Sequence, residues 1–156
     1  MKDWLLDTNV VASLIAANGA PSVKAWAAMQ EERRLFLSVL TLAAYDKGIA
    51  KLTDDNANRT RFAEARDRLE ERFEGRLLSL SDRVVRRWGI LSGTIQRDSG
   101  HPPPVIDTLF AATAIEHDLC FVTRNVKDVA RTGAVTLNPW DESQVGVANG
   151  RRGRNG

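Results

Sequence analysis

The chain reads as an α/β protein, a three-layer α/β/α sandwich around a central parallel sheet of about five strands. Two observations predict this. Short apolar runs with little polar alternation, such as "LFLSV" and "CFVT", read as strands buried on both faces. Stretches with helical spacing separate them, which is the rhythm of consecutive βαβ units. A third observation bears on function: carboxylates follow several strands, and in such sheets ligands bind outside the carboxyl ends of the strands.

In order, "DWLLD" is the first strand and ends in Asp7; "TNVVASLIAA" is the helix that follows it. "SVKAWAAMQEER" predicts a second helix, with Ser22 as its cap and Val23, Trp26 and Ala27 inward. "LFLSV" is the second strand. In "TLAAYDKGIAKL", Leu42, Tyr45, Ile49 and Leu52 share one helical face. "DDNANRTRFAEARDRLEERF" predicts a long charged helix whose inner stripe is Phe62, Ala65, Leu69 and Phe73. "RLLSL" is the third strand, and "SDRVVRRWGILSGTIQRD" a helix capped by Ser81. Beyond "GHPPP", "VIDTLFAATAIEHDL" carries no charge between Asp107 and Glu116, so that helix is expected inside. "CFVTRN" is the fourth strand, "VKDVA" a short turn or helix, and "AVTLN" the fifth strand, ending at "NPW". One domain is expected over residues 1–142. Residues 143–156, rich in Gly and Arg, are expected to form a disordered basic tail.

Composition narrows the classes. The 156 residues suffice for one sizeable core, and a net charge of +2 does not by itself argue for nucleic acid. No apolar run approaches the roughly 20 residues that span a bilayer, and a cytoplasmic location is expected. The single cysteine, Cys120, lies in an apolar run and reads as a buried thiol rather than a nucleophile. His101 and His117 sit in a Pro-rich loop and near a charged helix end, where surface positions are expected. No nucleophile elbow, dinucleotide fingerprint or P-loop is present.

What remains is acidic. Asp7 ends the first strand, Asp107 stands in the first turn of the apolar helix, and Asp128 follows the fourth strand. In a parallel sheet all three converge on one edge. Clustered carboxylates repel, and need hydrogen bonds, raised pKa values or a cation. Oxygen-only donors favour Mg²⁺ or Mn²⁺, which suits phosphoryl chemistry. Each acid also has a plainer reading: Asp7 as a helix cap, Asp107 in favourable contact with a helix dipole, Asp128 as a turn residue. Trp26, Trp88 and Trp140 read as packing residues. The arginines of the two charged helices (Arg59, Arg61, Arg66, Arg68, Arg72, Arg83, Arg86, Arg87) interleave with acids and read as a salt-bridged, solvated face.

"LLDTNVVASL", "LSVLTLAAYDKGI", "IDTLFAATAIEHDLCFVTRNVKDV" and "TLNPW" together resemble VapC-type toxins of the PIN-domain family, over roughly residues 4–140. The resemblance implies a PIN fold, a homodimer and a Mg²⁺- or Mn²⁺-dependent endoribonuclease, the toxin of a bacterial toxin–antitoxin pair. It implies hydrolysis that leaves a 5′-phosphate and a 3′-hydroxyl, with transfer RNA a reasonable substrate. The partner would be a VapB-like antitoxin that covers the active site and carries the complex to operator DNA. Carried over by position, the acids are Asp7, Asp107 and Asp128, with Thr8, Asn9, Thr123 and Asn125 as supporting polar residues.

The family's remaining acid, a glutamate in a pattern like "SVxTLxE", is Ala44 here, and a further glutamate common after the first motif is Ser13. Asp46 is no substitute, because two residues turn a helical side chain by about 200°. Three explanations are open: deliberate replacement to avoid toxicity, which the intact surrounding motif favours; a naturally attenuated relative; or three acids that suffice. A PIN fold that only sequesters antitoxin or RNA is the alternative to an enzyme. A DNA flap nuclease is a distant third, since its extra helical elements are missing.

Overall fold

The structure is a computed structural model and describes residues 1–145. Its centre is a five-stranded sheet in which each neighbouring pair runs parallel. The strands are β1 (Trp4–Leu6), β2 (Leu35–Ser38), β3 (Leu77–Leu78), β4 (Cys120–Val122) and β5 (Thr136–Leu137), in the order β3-β2-β1-β4-β5. The chain therefore winds outward from β1 to β3, then returns to lay β4 on the other side of β1. That reversal creates a switch point between β1 and β4, where Leu6 pairs with Val122.

Alternation along the strands builds the two outer interfaces. Leu6 and Val122 point into one cluster with Val10, Val11, Val23, Trp26, Leu35, Leu37, Leu69 and Phe73. Leu5 and Phe121 point the other way, against Phe110, Ala111, Ala114, Leu119 and Val129. The first layer is built from α1 (Thr8–Ile15), α2 (Pro21–Ala28), α3 (Val39–Ala50) and α4 (Ala57–Arg72). The second is α5 (Asp82–Ser99) against α6 (Val105–Glu116).

Helix α6 is buried as its sequence requires. Ala111, Ala112 and Ala114 are fully enclosed, and the buried hydroxyls of Thr108 and Thr113 donate to the carbonyls of Pro104 (2.6 Å) and Leu109 (2.8 Å). Helix α5 starts at the Ser81 cap, whose Oγ accepts from the Val84 N–H. Helix α2 differs from expectation. It begins at Pro21, after Ala20, with no side-chain cap, so Ser22 lies within the first turn. Proline at this position costs no hydrogen bond and presets the helical φ, which makes a capping side chain dispensable.

The inner stripe of α4 also holds only in part. Leu69 and Phe73 are buried, whereas Phe62 is 41% exposed, because it borders an open cleft against α1 and α3 rather than the core. The expected salt-bridged face is present: Arg66 pairs with Asp46 and Asp67, Arg68 with Glu64, and Arg72 with Glu32. At the C-terminal end, residues 142–145 form one further helical turn, in which Ser143 and Gln144 bond to Asp141. The rest of the expected tail, 146–156, lies outside the described residues. No helix among the described residues is long and apolar enough to cross a membrane.

Candidate active site

The site forms at the switch point. β1 ends at Leu6, and the next residue, Asp7, is both the last extended residue and the N-cap of α1. Its backbone N–H donates to Val122 O (2.9 Å), which fixes the residue between β1 and β4. Its side chain is nearly enclosed, at 5% exposure. Oδ1 accepts from the Thr8 N–H at 2.7 Å and Oδ2 from the Thr123 hydroxyl at 2.6 Å. Thr123 Oγ1 in turn accepts from the Asn125 N–H at 3.0 Å. The helix-cap reading of Asp7 and a site role are thus compatible: one carboxylate oxygen caps, and the other is held from β4.

Burial pushes the Asp7 carboxyl above its ordinary pKa, while the bonds from Thr123 and Thr8 pull it back down. Asp107, half-buried in the first turn of α6, is also raised, first by burial and then by the charges of Asp7 and Asp128. The three acids are therefore near enough to feel one another. Asp128 itself is exposed, in the turn after β4, its N–H donating to Asn125 O (3.1 Å).

The donor set is oxygen-only and carries mutual repulsion that a hard divalent ion would relieve. Among the described residues no three His, Cys, Asp or Glu side chains stand together closely enough to hold an ion unaided. That combination fits Mg²⁺ or Mn²⁺ better than Ca²⁺, because Mg²⁺ keeps several waters and uses one or two carboxylates plus substrate phosphate oxygens. Asn9 Oδ1, at the second residue of α1, is buried with no partner among the described residues, a further acceptor of the same hard type.

The second wall of the site is apolar. Ala44, on α3, lines an open cleft of ≈ 270 Å³ with Thr8, Ala12, Tyr45, Gly48 and Phe62. A side chain at position 44 thus faces Thr8, the neighbour of Asp7. Asp46 points elsewhere, onto Arg66 of α4 at 2.8 Å, as its helical position requires. Ser13 is spent on structure: its Oγ accepts from the Ala20 N–H (2.8 Å), and Gly19 passes so close that a Cβ there would run into Ser13 O.

Sequence reasoning missed Thr41. It is fully buried one turn before Ala44, and its hydroxyl shares a 3.0 Å hydrogen bond with that of Thr8. A threonine in the first turn of a helix that follows a buried strand was the available signal. Cys120, buried with its thiol pushed up to about 11, stays a protonated core residue at neutral pH.

The PIN domain family matches residues 4–134. The VapC ribonuclease Y4jK of Sinorhizobium fredii is 30% identical over 145 residues, covering 88% of this chain and 97% of that protein. Toxin FitB of Neisseria gonorrhoeae is 25% identical over 138 residues, covering 88% of this chain and 99% of that protein. Among solved structures, FitAB bound to an IR36 DNA fragment matches with a TM-score of 0.77 at 24% identity, over 88% of this chain and 95% of that chain, a likeness of fold.

Proposed function

The chain belongs to the PIN-domain family, and on that premise we propose that it is the toxin of a toxin–antitoxin pair, an endoribonuclease weakened by Ala44. The observation that carries this reading is that the charges of Asp7 and Asp128 both act on Asp107, with Asp7 at the sheet's switch point and Ala44 lining a cleft with its neighbour Thr8. The names of the relatives, a VapC ribonuclease and a FitB toxin, support it. On the same reading its partner is a VapB-like antitoxin, operator DNA is reached through that antitoxin, and the toxin itself is a homodimer.

Asp7 and Asp107 would hold Mg²⁺ or Mn²⁺, with Asp128 completing the set directly or through water and Asn9 near by. Such an ion, when bound, neutralises the scissile phosphate and lowers the pKa of a water. The chain's own residues do the rest. The Thr123 hydroxyl and the Thr8 N–H fix both Asp7 oxygens in advance, so little order is lost on binding. The Thr8–Thr41 hydrogen bond holds the base of the cleft. A glutamate at position 44 would accept a hydrogen bond from the attacking water and orient it in line with the phosphate. The Ala44 methyl accepts none, and the water is left unoriented.

The test is cleavage of single-stranded RNA with Mg²⁺ or Mn²⁺ by this chain and by its Ala44→Glu variant. Position 44 is exposed and borders open space, so the variant folds. The variant is expected to cleave at least about 10-fold faster, the lower end of what peripheral losses at metal sites cost, and EDTA should stop it. The alternative, a non-catalytic module that sequesters antitoxin or RNA, draws on the apolar character of the Ala44 cleft. It takes over if neither protein cleaves RNA while both bind an antitoxin.

A further inference from the structure

One cation beside the acidic site remains unexplained by that reading. Arg124 directly follows Thr123, whose hydroxyl holds Asp7. Its side chain is exposed, and its guanidinium lies over the indole of Trp140, 5.2 Å from the ring centroid. Trp140 is itself fixed. Its N–H donates to Asn138 Oδ1 (3.0 Å), just beyond β5, and its ring packs half-buried against the cluster around Leu6 and Val122.

The arginines of α4 and α5 make a contrast. Arg66, Arg72, Arg87 and Arg97 each spend their charge on a carboxylate, while Arg61, Arg83 and Arg86 have no such partner among the described residues and none of them adjoins a residue that holds Asp7. Arg124 has no carboxylate partner among the described residues. A cation thus adjoins the residue that holds Asp7 without pairing with any of the three acids. Stacking on an aromatic face orders the guanidinium while using none of its five N–H donors, which leave in the plane of the group. A planar fork held in this way matches two oxygens of a phosphate.

Resting on the nuclease reading, we propose that Arg124, held over the ring of Trp140, is a phosphate-binding subsite at the rim of the acidic site. It takes a phosphodiester neighbouring the scissile one in single-stranded RNA. An acidic centre repels a polyanion, and the subsite offsets this where the strand enters. Trp140 is a positioning residue: it acts through Arg124.

The experiment is fluorescence anisotropy of a short labelled single-stranded RNA with Mg²⁺, over a series of salt concentrations. This chain is compared with Arg124→Gln, Arg124→Lys, Trp140→Leu and, as a control at the opposite end of the strands, just before β2, Arg33→Gln. Arg124→Gln is expected to weaken binding several-fold and to flatten the dependence of log K on log salt by about 0.7, the share of one single-strand phosphate contact. Arg124→Lys should keep the slope and lose part of the affinity, because it retains the charge and not the fork. Trp140→Leu should weaken binding with the slope kept, and Arg33→Gln should match the parent. If the parent binds and Arg124→Gln binds equally well with an unchanged slope, the subsite is wrong and the nuclease reading stands. If the parent binds no RNA at any salt, both fall together.

Discussion

The two walls of the site differ in kind. On the β4 side, the Asn125 N–H, the Thr123 hydroxyl and Asp7 form a closed chain of hydrogen bonds around a buried carboxylate. On the α3 side, Thr8, Ala12, Ala44, Tyr45, Gly48 and Phe62 line a cleft with no acidic side chain. The first wall depends on several groups that support each other, anchored in the sheet register. On the proposed reading the second depends on one long side chain projecting from a helix, which an alanine at position 44 does not supply while the helix stays in place. A lesion on the second wall is therefore local, and one substitution reverses it. A lesion on the first wall is not.

That contrast is broken most severely by Asp7→Asn in the Ala44→Glu protein. RNA cleavage should fall by at least about 100-fold, beyond what outer-shell losses cost at metal sites, with the circular dichroism spectrum unchanged. Thr123→Val keeps the shape and removes the hydroxyl that orients Asp7. A loss of cleavage of about 10–100-fold is expected there, read as kcat with binding of RNA retained. Cleavage equal to the parent's would remove the preorganised wall from the account. Thr41→Val on the opposite wall breaks only the bond to Thr8. It should cost about 1 kcal/mol of stability in urea unfolding, and a larger loss of cleavage than Thr123→Val causes would reverse the ranking of the walls.

Much of this arrangement is legible in the sequence. Continuous apolar strands separated by helices specify a parallel sheet, and the strand-end rule then brings Asp7, Asp107 and Asp128 to one edge before any coordinates are considered. Ala44 draws notice because its neighbours keep the pattern of the resemblance, and the helical turn angle predicts that Asp46 points away, as its bond to Arg66 shows. Other features depend on what lies opposite a residue, which periodicity does not encode. Phe62 has the spacing of a core residue, yet it borders an open cleft instead. Thr41 looks like any helical threonine until Thr8 is placed across from it. The stacking of Arg124 on Trp140 joins residues that follow different strands, and only the pairing of β4 with β5 makes them neighbours.

The smallest expected effect concerns how the apolar wall is seated. The far end of α4 is tied down by Arg72 and Arg76 on Glu32. Hydrogen bonding from Arg72 leads the causes that hold the Glu32 carboxyl below its ordinary pKa. A depressed folded-state value means that the stabilisation is present above the unfolded carboxylate range and is lost as pH falls through the folded one. Glu32→Gln should cost under about 1 kcal/mol near neutral pH, because the pair is half-exposed and screened. The difference from the parent should vanish in acid. A pH-independent difference in urea midpoints would show that the ion pair is not its cause.

The contrast itself is tested most directly by Mn²⁺ binding, followed by electron paramagnetic resonance without RNA or antitoxin, for this chain, Asp7→Asn and Ala44→Glu. This chain should bind Mn²⁺ weakly, Asp7→Asn should abolish that binding, and Ala44→Glu should tighten it. If this chain binds no Mn²⁺, or if Asp7→Asn binds it undiminished, the acids at the switch point are not the intact half of a metal site.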